Sequence, residues 1–564
     1  ADTWQTVDGD LVSYLKIRGS RRLIGKEDFN KLTEKLTKEL TTLFRDGSGK
    51  QYSLSVGFLS DPPGTGSVIK ETLRPGLATA ARMGMGAKAR VWFDSKLENL
   101  TLKCNEEVIV ISFTTLRSGL EKKDRERFML WQKEAWRTAK IGKAKERDHS
   151  QPFLPVYPVL TNRHDAAIKN LMYHFSQPEA GMGILVDKMR VDEAIYYVRR
   201  FIDGKGIAPN WRPLVAGLKA PVGTTLERET DSANTQPLAL ARQIITEPSF
   251  EHFDDFELVR REGLYYGSFK MDVCPNEDPA PGFSAFFDQV GRQFPVAVNM
   301  EISANGLEYR KMDQTLSAFF GGFGQHNRSL RDAWQALKEM GEEEYIAAFR
   351  LVATTWAKDK DTVFDQLSTL KMALQSWGGS TVSNESGSPV SLLMSTAPAL
   401  SRENPAPFMP GPLSTFSRLL PVFRPASPWD FGQVVLTTRE GRPYPVAFGT
   451  SIQSFWGTLI VAPPGRGKSF LLNVINVGMA FSPGQVELPY CTIIDKGMSS
   501  ANTIMVLRAM LPEDRKHYAA SIRLRNTAEY AINIFDTQLG MDWPTERERD
   551  FQVNMVCALC PGLG

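Results

Sequence analysis

The chain contains 564 residues, of which 42% are hydrophobic and 23% are charged, and it carries a formal net charge of +3. This length is too great for one compact domain and predicts two or three. The nearly balanced charge argues against a protein that binds nucleic acid over its whole surface. No apolar run reaches the roughly 18 residues that a membrane span needs, and the polar, acidic start of the chain differs from a secretory signal peptide. We therefore expect a cytoplasmic protein.

The five cysteines and six histidines are scattered and predict neither a disulfide framework nor a structural metal site. Cys557 and Cys560 have the C-x-x-C spacing of a redox pair or of half a zinc site, but no second pair and no nearby histidine completes it. We expect instead that both are small apolar residues of a buried helix.

Apolar periodicity in residues 1–410 predicts a mixture of helices and strands, which is an α+β fold. Residues 344–358 are largely apolar and fit a strand or a helix equally well. In chain order, we predict two strand segments around Gly19 in 11–24, a helix over 27–44, a strand over 52–58, helical character over 77–85, a strand over 107–114, a helix over 190–201, a loop over 206–237, strands over 264–273 and 295–302, a helix over 361–377 capped by Gly378 and Gly379, and a strand over 390–394.

Residues 117–147 form a long, basic stretch of helical pattern, with eleven Lys or Arg against five Asp or Glu. Phe128, Trp131, Ala135 and Trp136 supply its apolar face. Such a stretch is typical of a solvated helix on the rim of a large domain, which we favour, or of a surface for acidic lipid headgroups or nucleic acid.

A boundary is predicted in residues 398–412, which carry five prolines and no periodicity. It separates an N-terminal α+β domain, residues 1–410, which the length allows to contain two subdomains, from residues 411–564. The second domain opens with a predicted β-hairpin, whose strands at 433–436 and 445–448 flank a turn at 438–442.

The sequence of residues 458–472, TLIVAPPGRGKSFLL, has the order of a phosphate-binding P-loop. A buried strand is predicted over 458–461, then a glycine-containing loop, then Lys468 and Ser469 at the start of a helix. Gly465 and Gly467 would let backbone N–H groups surround phosphate oxygens, Lys468 would lie along the β- and γ-phosphates, and Ser469 would ligate Mg²⁺. The first position of the usual pattern is Ala462 instead of glycine.

A second buried strand is predicted over 490–495 and ends on Asp495. In a parallel sheet this carboxylate would face the same crevice as the P-loop, where it could approach the metal or simply cap the next turn. No later apolar strand ends in paired carboxylates, and residues 531–536 are the nearest approach. We therefore expect an α/β domain that is incomplete at its C-terminus.

The hairpin, residues 447–473 (AFGTSIQSFWGTLIVAPPGRGKSFLLN), YCTIIDKGMSS and NIFDTQLG together carry a family resemblance. They resemble the large cytoplasmic ATPases of bacterial type IV secretion and conjugation machines, the VirB-four and TraC class, and within it the Dot/Icm branch and its conjugative-plasmid counterpart. The resemblance is sharpest over residues 428–540, and before them it rests on the order of elements.

The resemblance implies a docking domain at the inner-membrane complex followed by a RecA-like P-loop domain that binds ATP and Mg²⁺ and forms hexamers. It implies that Lys468 is catalytic, that Ser469 holds Mg²⁺, and that the nucleotide is bound by Gly465, Arg466, Gly467, Lys468, Ser469 and Phe470. Implied partners are further copies of the chain, inner-membrane components, a second secretion ATPase and a protein or DNA substrate.

The family's paired carboxylates for water activation and its arginine finger match no positions here, so ATP hydrolysis by this chain stays open. Two other functions stay open as well. One is a DNA-translocating coupling ATPase, and the other is a docking scaffold whose nucleotide site does not hydrolyse.

Overall fold

We describe the fold from a computed structural model of the chain. It describes residues 2–6, 8–45, 51–138, 151, 157–178, 181–208, 210–215, 238–245, 251–252, 257–309, 325–384, 388–401, 403–495, 499–523, 527–530 and 533–560, with the backbone alone at 135–136, 138, 251–252, 325–330 and 530. The chain divides into two compact units. The sheet unit comprises Ala1–Gly76 and Trp92–Gly457, and the P-loop unit comprises Leu77–Val91 and Thr458–Gly564.

Twelve strands of the described residues form one sheet in the sheet unit, and two more form a separate hairpin. All recorded pairings between these strands are antiparallel. The strands are β1 Thr3–Gln5, β2 Leu11–Ser20, β3 Tyr52–Asp61, β4 Glu106–Thr115, β5 Ile184–Lys188, β6 Glu251–His252, β7 Leu258–Arg261, β8 Leu264–Val273, β9 Val296–Ser303, β10 Ile346–Ala357, β11 Thr381–Ser383, β12 Met409–Pro412, β13 Val434–Thr437 and β14 Pro443–Val446.

Several α-helices of the described residues are amphipathic and bury their apolar face, most clearly those at Lys26–Arg45 and Val191–Arg200. The α-helices in the described part of the chain are α1 Lys26–Arg45, α2 Thr65–Arg82, α3 Ala87–Lys103, α4 Lys122–Thr138, α5 Pro158–Ser176, α6 Val191–Arg200, α7 Leu240–Ile244, α8 Phe283–Val290, α9 Gln325–Glu343, α10 Lys360–Ser376, α11 Pro389–Ser395, α12 Leu413–Leu419, α13 Lys468–Ala480, α14 Ser499–Met510 and α15 Glu546–Leu559. The N-terminal part is therefore α+β, as predicted.

The large sheet is built from two modules of the same topology. The first has the order β2, α1, β3, β4, α5, β5, with α2 and α3 inserted after β3 and α4 inserted after β4. The second has the order β8, α8, β9, β10, α10, β11, with α9 inserted after β9. Their strands lie in the orders β5-β2-β4-β3 and β9-β10-β8-β11, so each module has the fourth-first-third-second order of a split β-α-β fold. An extra hairpin strand precedes each module, β1 on β2 and β7 on β8.

The two modules meet edge to edge through β3 and β9. These strands pair antiparallel from Ser53 opposite Ser303 to Ser60 opposite Val296. Because each module contributes its second strand to this seam, the strand order is the same when counted outward from the seam in either direction. The sheet unit thus has an internal two-fold repeat of its topology.

Helices cover both faces of the sheet. On one face, apolar side chains of α1, α5, α8, α10 and α12 form the larger core with alternate residues of the strands. On the other face, α6, α7 and α11 contribute to a second core. Strand β10 is buried along almost its whole length, because β9 pairs with it on one side and β8 and β12 pair with it on the other. This position explains its largely apolar sequence and decides that residues 344–358 form a strand.

Most of the predicted elements of the sheet unit are confirmed, and three differ. Most of the loop predicted over 206–237 and the end of the basic stretch over 117–147, from residue 139 on, lie outside the described residues. Residues 11–24 contain one strand, β2 over 11–20, and not two, because Gly19 (φ 127°) sits in a register shift of the β2–β5 pairing and does not end the strand. Residues 390–394 lie in the helix α11, which begins at Pro389. The proline-rich residues 398–412 lie inside the sheet unit, because β12 pairs with β10 and occupies an edge position where prolines are tolerated. The functional division at residue 410 stays a prediction.

The P-loop unit is discontinuous in sequence. Residues 77–91, which hold the end of α2, the turn after it and the start of α3, belong to this unit. Thr79 Oγ1 donates a hydrogen bond to the Ser482 carbonyl at 3.2 Å, and Ala80 and Met83 are buried. The helices α13 and α14 also pack on each other within it. Across the described residues of both units, no helix is long and apolar enough to cross a bilayer.

Candidate nucleotide-binding site

The loop that the sequence marks as a P-loop turns through two glycines in the left-handed region. Gly465 has φ of 75° and Gly467 has φ of 80°. A Cβ atom at either position would meet no atom within 4 Å, so backbone conformation, and not crowding, is what requires glycine there. The loop therefore has a shape that most other residues would adopt only with strain.

A helix begins directly after this loop. Gly467 is the N-cap residue of α13, and its carbonyl accepts the hydrogen bond from the Leu471 N–H at 2.8 Å. The N–H groups of the first helical turn have no acceptor within the helix and point outward from its start. Together with the helix dipole they form a site that suits an anion such as a phosphate group.

The predicted ligand side chains lie together on this first turn. Lys468 and Ser469 are the first two residues of α13, and both are exposed. Arg466 is exposed in the loop, and the Phe470 side chain is 75% exposed. The chain thus presents a cation, a hydroxyl and open amides at one helix start, which is the donor set that a Mg²⁺-bound triphosphate needs.

Asp495 caps the neighbouring helix. Its Oδ2 accepts hydrogen bonds from Ser499 Oγ at 2.9 Å and from the Ser500 N–H at 3.0 Å, at the start of α14. Of the two roles that the sequence left open, the structure therefore displays the capping role. Capping does not exclude a second role, because a carboxylate has further lone pairs on both oxygens.

Asn473 joins α13 to α14. Its role was not predicted from the sequence. It lies one turn after Ser469 on α13, and its Nδ2 donates to the Ser499 carbonyl at 3.2 Å. Its Oδ1 is buried without a hydrogen-bond partner. The only signal in the sequence is an amide among the apolar residues of the P-loop helix. Through Asn473 and Ser499, the cap made by Asp495 is connected to the second turn of the P-loop helix.

The two buried strands predicted beside the P-loop are not formed in the structure. Residues 458–461 and 490–495 pair with no strand of the described residues, and Leu459, Val461 and Ile494 are each more than 80% exposed. A parallel strand is stable when neighbouring strands and helices cover it, and the described part of this unit offers these segments no strand partner. The sequences of both segments are therefore typical of buried strands, but no sheet forms around them in the described residues.

Two further expectations fall in this unit. Cys557 lies on α15 and Cys560 caps it, but both are exposed, so the expectation of a buried pair was wrong. Residues 533–536 form a turn and not a strand, whereas 531–532 lie outside the described residues. Among the described residues, no group of three or more His, Cys, Asp or Glu is placed to hold a metal ion.

No protein-family model matches the chain, and none of the curated proteins is significantly similar to it. Functional inference therefore depends on the site itself and on the resemblance of residues 428–540.

Proposed function

We propose that the chain is a P-loop ATPase subunit of a bacterial type IV secretion or conjugation machine. On this proposal it binds Mg²⁺ and ATP through residues 465–470 and uses the nucleotide to energise substrate transfer or assembly at the inner membrane. The observation that carries the proposal is the pair of left-handed glycines, Gly465 and Gly467, which place Lys468 and Ser469 on the open first turn of α13.

Each residue of the loop has a task that follows from its chemistry. The amides at the start of α13 would bind phosphate oxygens, and Lys468 would neutralise the β- and γ-phosphates. The hydroxyl of Ser469 is the ligand that would hold Mg²⁺, which supplies charge neutralisation between the phosphates. Arg466 and Phe470 are exposed on either side of Gly467 and Lys468 and would contact the nucleotide from the rim of the loop.

The secretion assignment has a different basis from the nucleotide assignment. It is supported by the resemblance of residues 428–540 to the VirB-four and TraC class, together with an α+β unit that precedes the P-loop. On this proposal the P-loop unit is part of a RecA-like domain that forms hexamers, and the sheet unit docks on inner-membrane components. A second secretion ATPase and a transferred protein or DNA are the remaining partners.

The nucleotide assignment is tested by ATP binding to the purified chain, measured with a fluorescent ATP analogue in the presence of Mg²⁺. We expect Lys468→Ala to weaken binding at least tenfold. Arg508→Ala removes an exposed cation from α14 of the same unit and is the matched control, for which we expect binding like that of the unaltered chain. If the chain does not bind ATP, or if both variants bind equally well, the P-loop assignment is wrong.

A nucleotide-binding scaffold is the second candidate, and one observation favours it. Asp495, the acidic residue that follows the second apolar segment, is engaged in capping α14. A chain that binds ATP tightly but shows no phosphate release above that of Lys468→Ala would be such a scaffold. Steady hydrolysis that Lys468→Ala abolishes would support the motor, and a dependence of that hydrolysis on added DNA would favour the coupling ATPase.

A further inference from the structure

The outward face of α4 carries cations around two exposed aliphatic side chains. Leu130 is 70% exposed and Met129 is 53% exposed, in the middle of the helix. Of the α4 side chains that the structure describes, five exposed cations and two exposed carboxylates share this face, namely Lys122, Lys123, Arg127, Lys133 and Arg137 with Glu126 and Glu134. Because Met129 and Leu130 are adjacent, they form one exposed apolar patch. An exposed apolar patch with a polar rim is typical of an interaction site.

The inward face of the same helix is already occupied. Phe128 is fully buried, and its ring lies 5.3 Å from that of Tyr157. A Cβ atom at Gly9 would come within 2.5 Å of the Phe128 ring, so the first hairpin of the sheet unit packs tightly against α4. Arg125, which is exposed, donates to the carbonyls of Ser118 and Leu120 and so ties the start of the helix to the preceding turn. Because its main apolar face is used for packing, α4 is fixed with its cationic face toward solvent.

We propose that this face of α4 is a docking surface for an anionic lipid membrane. The cations would be attracted by the negative surface potential, and each Lys or Arg near such a surface adds to the binding. Leu130 and Met129 would enter the boundary between headgroups and acyl chains, with the long lysine side chains extending beside them. Since the face holds only two aliphatic side chains, binding should be shallow, reversible and sensitive to salt.

The aliphatic residues favour a membrane over a nucleic acid as the partner. A phosphodiester backbone gains little from contact with Leu130 or Met129, whereas the lipid interface does. Recognition of single strands usually uses exposed aromatic rings, but Trp131 is half-buried and lies 5.6 Å from the Tyr157 ring. Charge would suit both partners, and the exposed aliphatic pair decides between them.

This inference is independent of the ATPase proposal, although both place the chain at a membrane. Lys468→Ala alters the P-loop and leaves α4 unchanged, so this variant should bind vesicles like the unaltered chain. A failure of nucleotide binding and a failure of membrane binding can therefore be told apart.

The test is co-flotation of the full chain with vesicles of phosphatidylcholine containing about one third phosphatidylglycerol, and with pure phosphatidylcholine vesicles. We expect binding to the anionic vesicles alone, and loss of it as salt rises. Lys123→Glu with Lys133→Glu should lower partitioning about tenfold or more, because each reversal replaces attraction by repulsion. Leu130→Ser should lower it roughly threefold by removing apolar burial.

The matched control is Lys31→Glu with Lys38→Glu, the same change of charge on the exposed face of α1, which should retain binding. If the control pair weakens binding as much as the α4 pair, only net charge matters and the assignment to α4 is wrong. Absence of binding to anionic vesicles would also overturn it. Binding to a DNA duplex that exceeds vesicle binding and is insensitive to Leu130→Ser would assign the face to nucleic acid instead.

Discussion

Arg424 and Glu107 form a bidentate ion pair in which both side chains are buried, with exposed fractions of 2% and 0%. Arg424 Nε and Nη2 each lie 2.5 Å from a Glu107 oxygen, and Arg442 Nε lies 3.4 Å from the same carboxylate. Glu107 belongs to β4 of the first module, whereas Arg424 follows α12, more than 300 residues later. The pair therefore fixes the segment after the second module to the sheet of the first.

Glu107→Gln should destabilise the sheet unit by about 3–5 kcal/mol, because it leaves the buried charge of Arg424 without its counter-ion. The measurement is the denaturant midpoint of unfolding, followed by the fluorescence of the sheet unit's tryptophans. Glu71→Gln, which removes one partner of the exposed Arg74–Glu71 pair, is the control and should change the midpoint little. Similar midpoints for the two variants would show that the buried pair is replaceable.

His164 makes the stability of the sheet unit dependent on pH. It is fully buried, with Ser13 Oγ 2.9 Å from Nε2 and Thr115 Oγ1 2.8 Å from Nδ1. Burial lowers the pKa of His164 to about 4, an effect that Asp165 opposes. In the unfolded chain the pKa is about 6.5. The neutral imidazole therefore stabilises the fold fully above pH 6.5, and this contribution is lost as the pH falls from 6.5 toward 4.

We expect the free energy of unfolding to fall by about 3 kcal/mol across that window from His164 alone. The measurement is the denaturant midpoint at pH 7 and at pH 4.5, for the chain and for His164→Gln. Glutamine can keep both hydrogen bonds but cannot be protonated, so its variant should show a smaller difference between the two pH values. An equal difference in both proteins would mean that carboxylates cause the acid sensitivity.

Gly467→Ala and Gly465→Ala should each weaken ATP binding about tenfold. An L-residue at positive φ costs roughly 1–2 kcal/mol, and the loop would relax away from the shape that presents its amides. Gly484, with φ of 88° and open space around it, is the matched control in the same unit. Gly484→Ala should carry a similar strain without affecting ATP binding. If all three variants lose binding together, general destabilisation of the unit is the cause.

Substitutions at Asp495 separate its capping role from a catalytic one. Asp495→Ala should destabilise the P-loop unit by about 1 kcal/mol, as the loss of a helix cap does, and Asp495→Asn should retain most of that stability because the amide oxygen still accepts from Ser500. Thermal unfolding measures both. If Asp495→Asn is as stable as the unaltered chain but loses ATP hydrolysis, the carboxylate charge has a second role near the nucleotide.

The sequence predicted the sheet unit better than the P-loop unit, for a physical reason. In α1, apolar residues recur with the helical period, and Leu36, Leu40 and Phe44 are buried as that period requires. Residues 390–394 are five consecutive residues without a period, and the proline before them, which is favoured at the first turn of a helix, was the better guide. Local pattern is reliable where it is long and amphipathic.

Long-range relationships could not be read from the sequence. The duplication of the module is defined by which strands pair. It is not visible as a repeat in the amino-acid sequence. The ion pair between Glu107 and Arg424 is equally invisible, because charged residues are expected at the surface. At the P-loop the sequence predicted the local geometry of Gly465 to Ser469, which depends on neighbours in the chain, but it did not predict the state of residues 458–461, which depends on a sheet.

The discontinuity of the P-loop unit limits how this protein can be dissected. A fragment cut at residue 411 or 458 omits residues 77–91, together with the buried Ala80 and Met83 and the hydrogen bond from Thr79 to Ser482. Such a fragment would expose apolar surface and aggregate, even where the cut, as at residue 458, falls between elements. Supplying residues 77–91 as a peptide, or fusing them to the fragment through a short linker, is the way to obtain the P-loop unit as a soluble piece.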